Sequence, residues 1–105
     1  MKVYQLGILT PEKKIYNDTV VSITVSSENG QLTVLAEHAP MVAVLAEGPV
    51  IIRTDKETLT GETGGGVLQV SRNEAVIMVQ CFKWEGEESE EEDIVEDGRA
   101  DDLMI

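Results

Sequence analysis

At 105 residues the chain has room for one domain and a tail, and its charge is unevenly divided. Residues 1 to 84 carry nine acidic and seven basic side chains, whereas residues 85 to 105 carry eleven acidic side chains and one arginine, so the net charge of −12 belongs mostly to the tail. That balance excludes a nucleic-acid surface, which needs clustered Lys and Arg against phosphates, and the single cysteine, Cys81, excludes an internal disulfide framework and fits a reducing compartment. Polar Lys2, Tyr4 and Gln5 stand where a secretory segment would need an unbroken apolar stretch. The longest apolar run, Met41 to Ala46, is far short of the ~20 residues that span a bilayer.

In chain order, Val3, Tyr4, Leu6, Ile8 and Leu9 form a strand-like opening that Thr10-Pro11 ends, and Ile15 and Tyr16 start a second strand. Val21, Ile23 and Val25 alternate with Ser22, Thr24 and Ser26, the period of two that buries one face and wets the other. Ser27-Glu28-Asn29-Gly30 reads as a hairpin turn. Leu32 to Ala36 and Met41 to Ala46 are strand-length apolar runs on either side of Glu37-His38-Ala39-Pro40, where the proline removes a backbone donor and forces a corner. Val50 to Thr54, Thr58 to Thr60, Val67 to Val70 and Ala75 to Val79 complete the series, with turns between them. No sustained 3.6-residue period occurs before residue 84. The pattern predicts an all-β domain over residues 1–84, an antiparallel β-sandwich or flattened barrel of about eight to ten short strands.

Past Trp84 the sequence changes abruptly to Glu85-Gly86-Glu87-Glu88-Ser89-Glu90-Glu91-Glu92-Asp93. Like charges four residues apart oppose a helix, and little here is apolar enough to bury. Residues 85–105 are therefore expected to form a disordered acidic tail, suited to solvation or to meeting a basic protein surface.

The chemistry of the side chains points away from catalysis. His38 is the sole candidate base, and Cys81, at the end of an apolar strand, reads as a small hydrophobe packed in the core. A structural zinc site needs about four Cys or His ligands, and the chain has these two. Gly64-Gly65-Gly66 is followed by Val67 and a strand, not by the lysine and helix of a phosphate loop, so close approach of backbones is the better reading. In the tail, Asp93, Asp97, Gly98 and Asp101 match part of a calcium loop, but Val95 and Met104 occupy two ligand positions. No cofactor and no metal are expected.

Taken together, Leu9-Thr10-Pro11-Glu12, Asn29-Gly30-Gln31-Leu32, Val34-Leu35, His38-Ala39-Pro40-Met41-Val42, the Gly48 turn and Gly65-Gly66-Val67-Leu68-Gln69-Val70 cover nearly the whole body. In this order and spacing the body resembles the N-terminal β-sandwich domain of the epsilon subunit of F-type ATP synthases. The resemblance implies a non-catalytic rotor subunit of the central stalk, held between the gamma subunit and the ring of membrane c subunits. It would lie at the cytoplasmic face of the bacterial inner membrane, bound there through the complex.

Carried over by position, the resemblance assigns Gly30 and Gln31 to a loop facing the c ring, and Thr10, His38 and Ala43 to a surface facing gamma. Ala39, Pro40, Met41 and Val42 complete the expected protein interface around the corner. Thr33, Ala36 and Glu37 stand where the family often has glycine, proline and glycine, and Gln31 where it often has a carboxylate. Family members continue into a two-helix hairpin that restrains ATP hydrolysis; Val95-Glu96-Asp97-Gly98-Arg99-Ala100 faintly resembles its start, and the resemblance with the sequence ending at Ile105 leads to the expectation that hairpin inhibition is lost. The alternative is an independent β-sandwich module whose acidic tail captures a basic protein.

Overall fold

The computed structural model describes residues 2–85; the calcium-loop and hairpin expectations lie outside the described residues, as does the disorder expected over residues 85–105 except at Glu85, whose N–H donates to the Thr60 carbonyl at 2.9 Å. Among the described residues ten strands form: β1 (Tyr4–Leu9), β2 (Lys14–Val20), β3 (Ser22–Ser27), β4 (Gly30–Leu35), β5 (Met41–Leu45), β6 (Gly48–Arg53), β7 (Thr58–Thr63), β8 (Gly66–Ser71), β9 (Glu74–Val79) and β10 (Phe82–Trp84). They follow the β-branched and alternating runs of the sequence, and each is cut by a turn signal within seven residues. Among the described residues no helix is long and apolar enough to cross a membrane.

The strands make two layers. Sheet I has the order β4-β3-β6-β7-β10 and sheet II the order β5-β8-β9-β1-β2. The layers join where Ser27 of β3 bridges Leu45 of β5, so the sandwich closes toward a barrel along that side. The opposite side is closed by aromatic edges, with Trp84 of β10 5.9 Å from Tyr16 of β2 and 4.8 Å from Phe82. Both contacts are edge-to-face, the arrangement the ring quadrupoles favour.

Among the described residues all pairings are antiparallel except one: β1 runs parallel to β9, with Leu6 opposite Ala75 and Ile8 opposite Ile77. The sequence pattern predicts antiparallel order throughout and places no strand at residues 82–84. A three-residue strand offers too little alternation to be read, and β10 is defined instead by pairing with β7 and by Phe82 lying over Gly61.

Between the layers, Leu6, Ile8, Val20, Ile23, Ile52, Leu68, Ala75 and Ile77 are completely buried, with Val25, Val34 and Val50 nearly so. Each large aliphatic side chain removed from water contributes roughly 1.5–3 kcal/mol. Tyr4 crosses this core, and its hydroxyl donates a 2.7 Å hydrogen bond to the Val34 carbonyl, tying β1 of sheet II to β4 of sheet I. Burial pushes the Tyr4 phenol well above its ordinary range, against a smaller opposing effect of a hydrogen bond with the Ile23 backbone. Tyr16 is also raised, by burial and then by the carboxylates of Asp18 and Glu57.

Cys81 departs from the sequence reading, because it is exposed and not packed in the core. The buried run of β9 ends at Val79, and the chain bends at Gln80 before β10, which carries the thiol outward to lie against Gly64. Val21 likewise falls at a bend before β3 and is only half-buried.

Candidate protein-docking face

The corner at residues 36–40 is a change of sheet. The chain leaves sheet I at Leu35 of β4 and enters sheet II at Met41 of β5, so the two apolar runs flanking the corner lie in opposite layers. Glu37 turns the chain with φ 66°, and its carboxylate accepts a 3.0 Å ion pair from Lys2 at the surface. His38 is half-buried with Nδ1 2.8 Å from the Ala39 carbonyl oxygen, while Ala39 and Pro40 are exposed. This contact is local and orients the ring without giving it an acid or a nucleophile to work on.

Beyond the corner, β5 alternates. Met41 and Ala43 pack against the core and Leu45 is buried, whereas Val42 is 69% exposed and Val44 50% exposed. Directly paired residues share a face of a sheet, so the register extends these two valines across sheet II. Val44 pairs with Val67, Val67 with Met78, Met78 with Leu9 and Leu9 with Lys14, one row across all five strands. Beside it runs Val42, Gln69, Val76, Gly7 and Asn17. Where Leu9, Thr10, Pro11, Gly66, Val67 and Met78 come together they line a shallow groove of ≈ 440 Å³. On sheet I the corresponding outer row is mainly polar, with Thr24 and Thr33 hydrogen-bonded at 3.0 Å and Ile51 between Thr24 and Thr60.

The expected interface residues are spread over this frame. Thr10 caps a turn, its Oγ1 donating to the Lys13 carbonyl at 3.2 Å, and lies at the same end of the sandwich as Gly30 and Gln31. Gly30 takes up φ 114°, which relieves Asn29 of the left-handed conformation in the β3–β4 turn, and both Gly30 and Gln31 are exposed. His38, Ala39 and Pro40 lie at the other end, about one strand length or ~20 Å away. The side chains of Met41 and Ala43 turn to the core, so Val42 is the member of that trio presented to solvent.

Sequence reasoning misses Val44, Val67, Met78 and Leu9 as surface residues. The signal is present in β5, whose run from Met41 to Ala46 is apolar at both parities; a strand apolar on both faces is one that expects cover on both. Among the described residues no three His, Cys, Asp or Glu side chains gather into a metal-ligating group. The chemistry available on this face is packing, with hydrogen bonds and charge at its rim.

Comparison with known proteins places this architecture. The model of the beta-sandwich domain of the ATP synthase delta/epsilon chain matches residues 3–85. The ATP synthase epsilon chain of Natranaerobius thermophilus is 37% identical over 81 residues, which cover 75% of this chain and 57% of that one. The epsilon chain of Bacillus velezensis is 29% identical over 104 residues, covering 99% of this chain and 79% of its own length. Against several of these curated relatives, then, the chain spans little more than half their length. A chain in the Euglena gracilis mitochondrial ATP synthase, in a structure of its OSCP, F1 and c-ring, superposes with a TM-score of 0.74 at 22% identity over 78% of this chain and 53% of that chain. One in the central stalk and c-ring of the Tetrahymena thermophila enzyme gives 0.68 at 20% identity, covering 91% of this chain and 79% of its own. Those two likenesses are likenesses of fold. With nearly the whole of the described sandwich accounted for by the family model, the chain belongs to the ATP synthase delta/epsilon beta-sandwich family.

Proposed function

We propose that the chain is an epsilon-type, non-catalytic subunit of the central stalk of a rotary, F-type ATP synthase, where it couples rotation of an ion-driven c ring to the catalytic head. The observation that carries this reading is the apolar outer face of sheet II, with Val42, Val44 and Met78 exposed on a domain whose core is already complete. Apolar surface in contiguous rows is a docking surface by default. In this reading the gamma subunit covers the face and the His38–Pro40 corner, and the exposed Gly30–Gln31 end points to the c ring. A close-packed sandwich resists deformation, so torque applied at one end reaches the other without slip. The chain would lie at the membrane surface through its partners, on the cytoplasmic side in a bacterium.

The test is His38→Ala combined with Pro40→Ala in the assembled complex. Because His38 contacts only the neighbouring Ala39 carbonyl among its hydrogen bonds and Pro40 is exposed, folding should be preserved. Gradient-driven ATP synthesis and the retention of the subunit in the complex should both fall. Coupling equal to that of the wild type would remove the corner from the interface.

A further inference from the structure

Lys14 occupies a position that a regular strand would not give it. In the β1–β2 ladder Ile8 faces Tyr16, but Leu9 faces Lys14, so Ile15 is an extra residue in β2. Such a bulge re-aims the side chains next to it. Here Ile15 and Tyr16 both pack against the core, and Lys14 is set beside Leu9 on the outer face. It becomes the charged end of an otherwise apolar row, Val44, Val67, Met78 and Leu9. Lys14 is exposed, and the ion pair formed among the described residues is elsewhere, between Lys2 and Glu37.

We infer that the outer face of sheet II takes a segment of the gamma subunit whose apolar side chains lie along the Val44–Leu9 row and whose Asp or Glu meets Lys14 at the β2 margin. The inference rests on the stalk reading and adds to it the direction and charge of the partner. An apolar row is symmetric enough to accept a segment in either sense; a cation at one end selects one. At the rim such a charge acts on association rate and salt dependence more than on the lifetime of the complex. The adjoining groove beside Thr10 and Pro11 leaves space for one large apolar side chain next to that carboxylate.

The experiment measures binding of the full chain to the cognate gamma subunit at low and high salt, for the wild type, Lys14→Glu, Lys14→Arg, Val44→Asp and Met78→Glu, each first checked for a wild-type melting temperature. Lys14→Glu should bind roughly tenfold more weakly at low salt, through a slower on-rate, and approach the wild type at high salt, whereas Lys14→Arg should bind normally. Val44→Asp and Met78→Glu should lose binding at both salt concentrations. If those two lose binding while Lys14→Glu binds normally at low salt, the docking face stands and the carboxylate assignment is overturned. If Val44→Asp and Met78→Glu both bind gamma normally, the face itself is refuted, and sedimentation of the wild type and Met78→Glu then shows whether a second copy of this chain covers it instead.

Discussion

Replacing Tyr4 by phenylalanine removes one oxygen from the centre of the sandwich and should separate the two sheets energetically without unfolding them. The lost hydrogen bond is 2.7 Å long and joins a side chain 5% exposed to the carbonyl of Val34, which is 1% exposed. A net hydrogen bond is worth roughly 1 kcal/mol, and a carbonyl left with one partner fewer in a dry interior adds to the cost, so Tyr4→Phe should destabilise by about 1–2 kcal/mol. For a domain of this size that is a fall in Tm of roughly 5–15 °C.

The pH dependence reports on the burial of the same hydroxyl. The folded-state pKa of Tyr4 lies above the unfolded one, so above pH 10 the native state holds more protons than the unfolded state, and stability falls as pH rises, by up to about 1.4 kcal/mol per unit for each such group. Tyr16, raised in the same direction, contributes to the same window in both proteins. The variant lacks the share of Tyr4, so its stability should converge on that of the wild type between about pH 10 and 12. Urea unfolding at neutral and alkaline pH reads both effects. A difference below about 0.3 kcal/mol at neutral pH would refute the contribution given to the hydrogen bond, and a gap that stays constant to alkaline pH would refute the burial of the hydroxyl.

Two further substitutions test the backbone. Glu37→Gly relieves a non-glycine residue at φ 66° but frees the unfolded chain and gives up an exposed ion pair; the balance should be a gain of about 0.5 kcal/mol in urea unfolding, and a clear loss would mean that the Lys2 contact matters more than its exposure suggests. At Gly66 an added methyl would run into the Met78 carbonyl oxygen and sit 2.9 Å from the Val79 Cα, so Gly66→Ala should cost about 2–4 kcal/mol because backbone must move. Gly7→Ala, with nothing within 4 Å of the new carbon, is the matched control and should be nearly neutral by thermal melting.

Much of this arrangement is legible in the order of the amino acids alone. The alternation at Ile23 and Val25, the turn at Glu28-Asn29 and the break at Pro40 each rest on a local rule of the chain, and local rules are visible in sequence. The parallel β1–β9 pair is different in kind, because it joins strands from opposite ends of the described chain and no local rule sets their relative direction. Cys81 escapes a sequence reading for a related reason: it follows an apolar run, but the bend at Gln80 takes it out of the layer. The docking face is half legible. Apolar residues at both parities of β5 announce a second covered face, yet Val44, Val67, Met78 and Leu9 come from four strands of which only β8 and β9 are consecutive, and only register brings them into one row. The bulge at Ile15 that places Lys14 at the end of that row has no local signature beyond two adjacent apolar residues.

In the proposed stalk role, the face of sheet II holds the sandwich to gamma. The most direct measurement is the affinity of the full chain for its cognate gamma subunit at about 0.05 M and about 0.5 M salt. Apolar docking predicts tight binding that weakens by no more than roughly tenfold across that range, the share left to Lys14. Binding that collapses in high salt would rule out apolar docking and favour capture of a basic partner by the acidic residues 85–105.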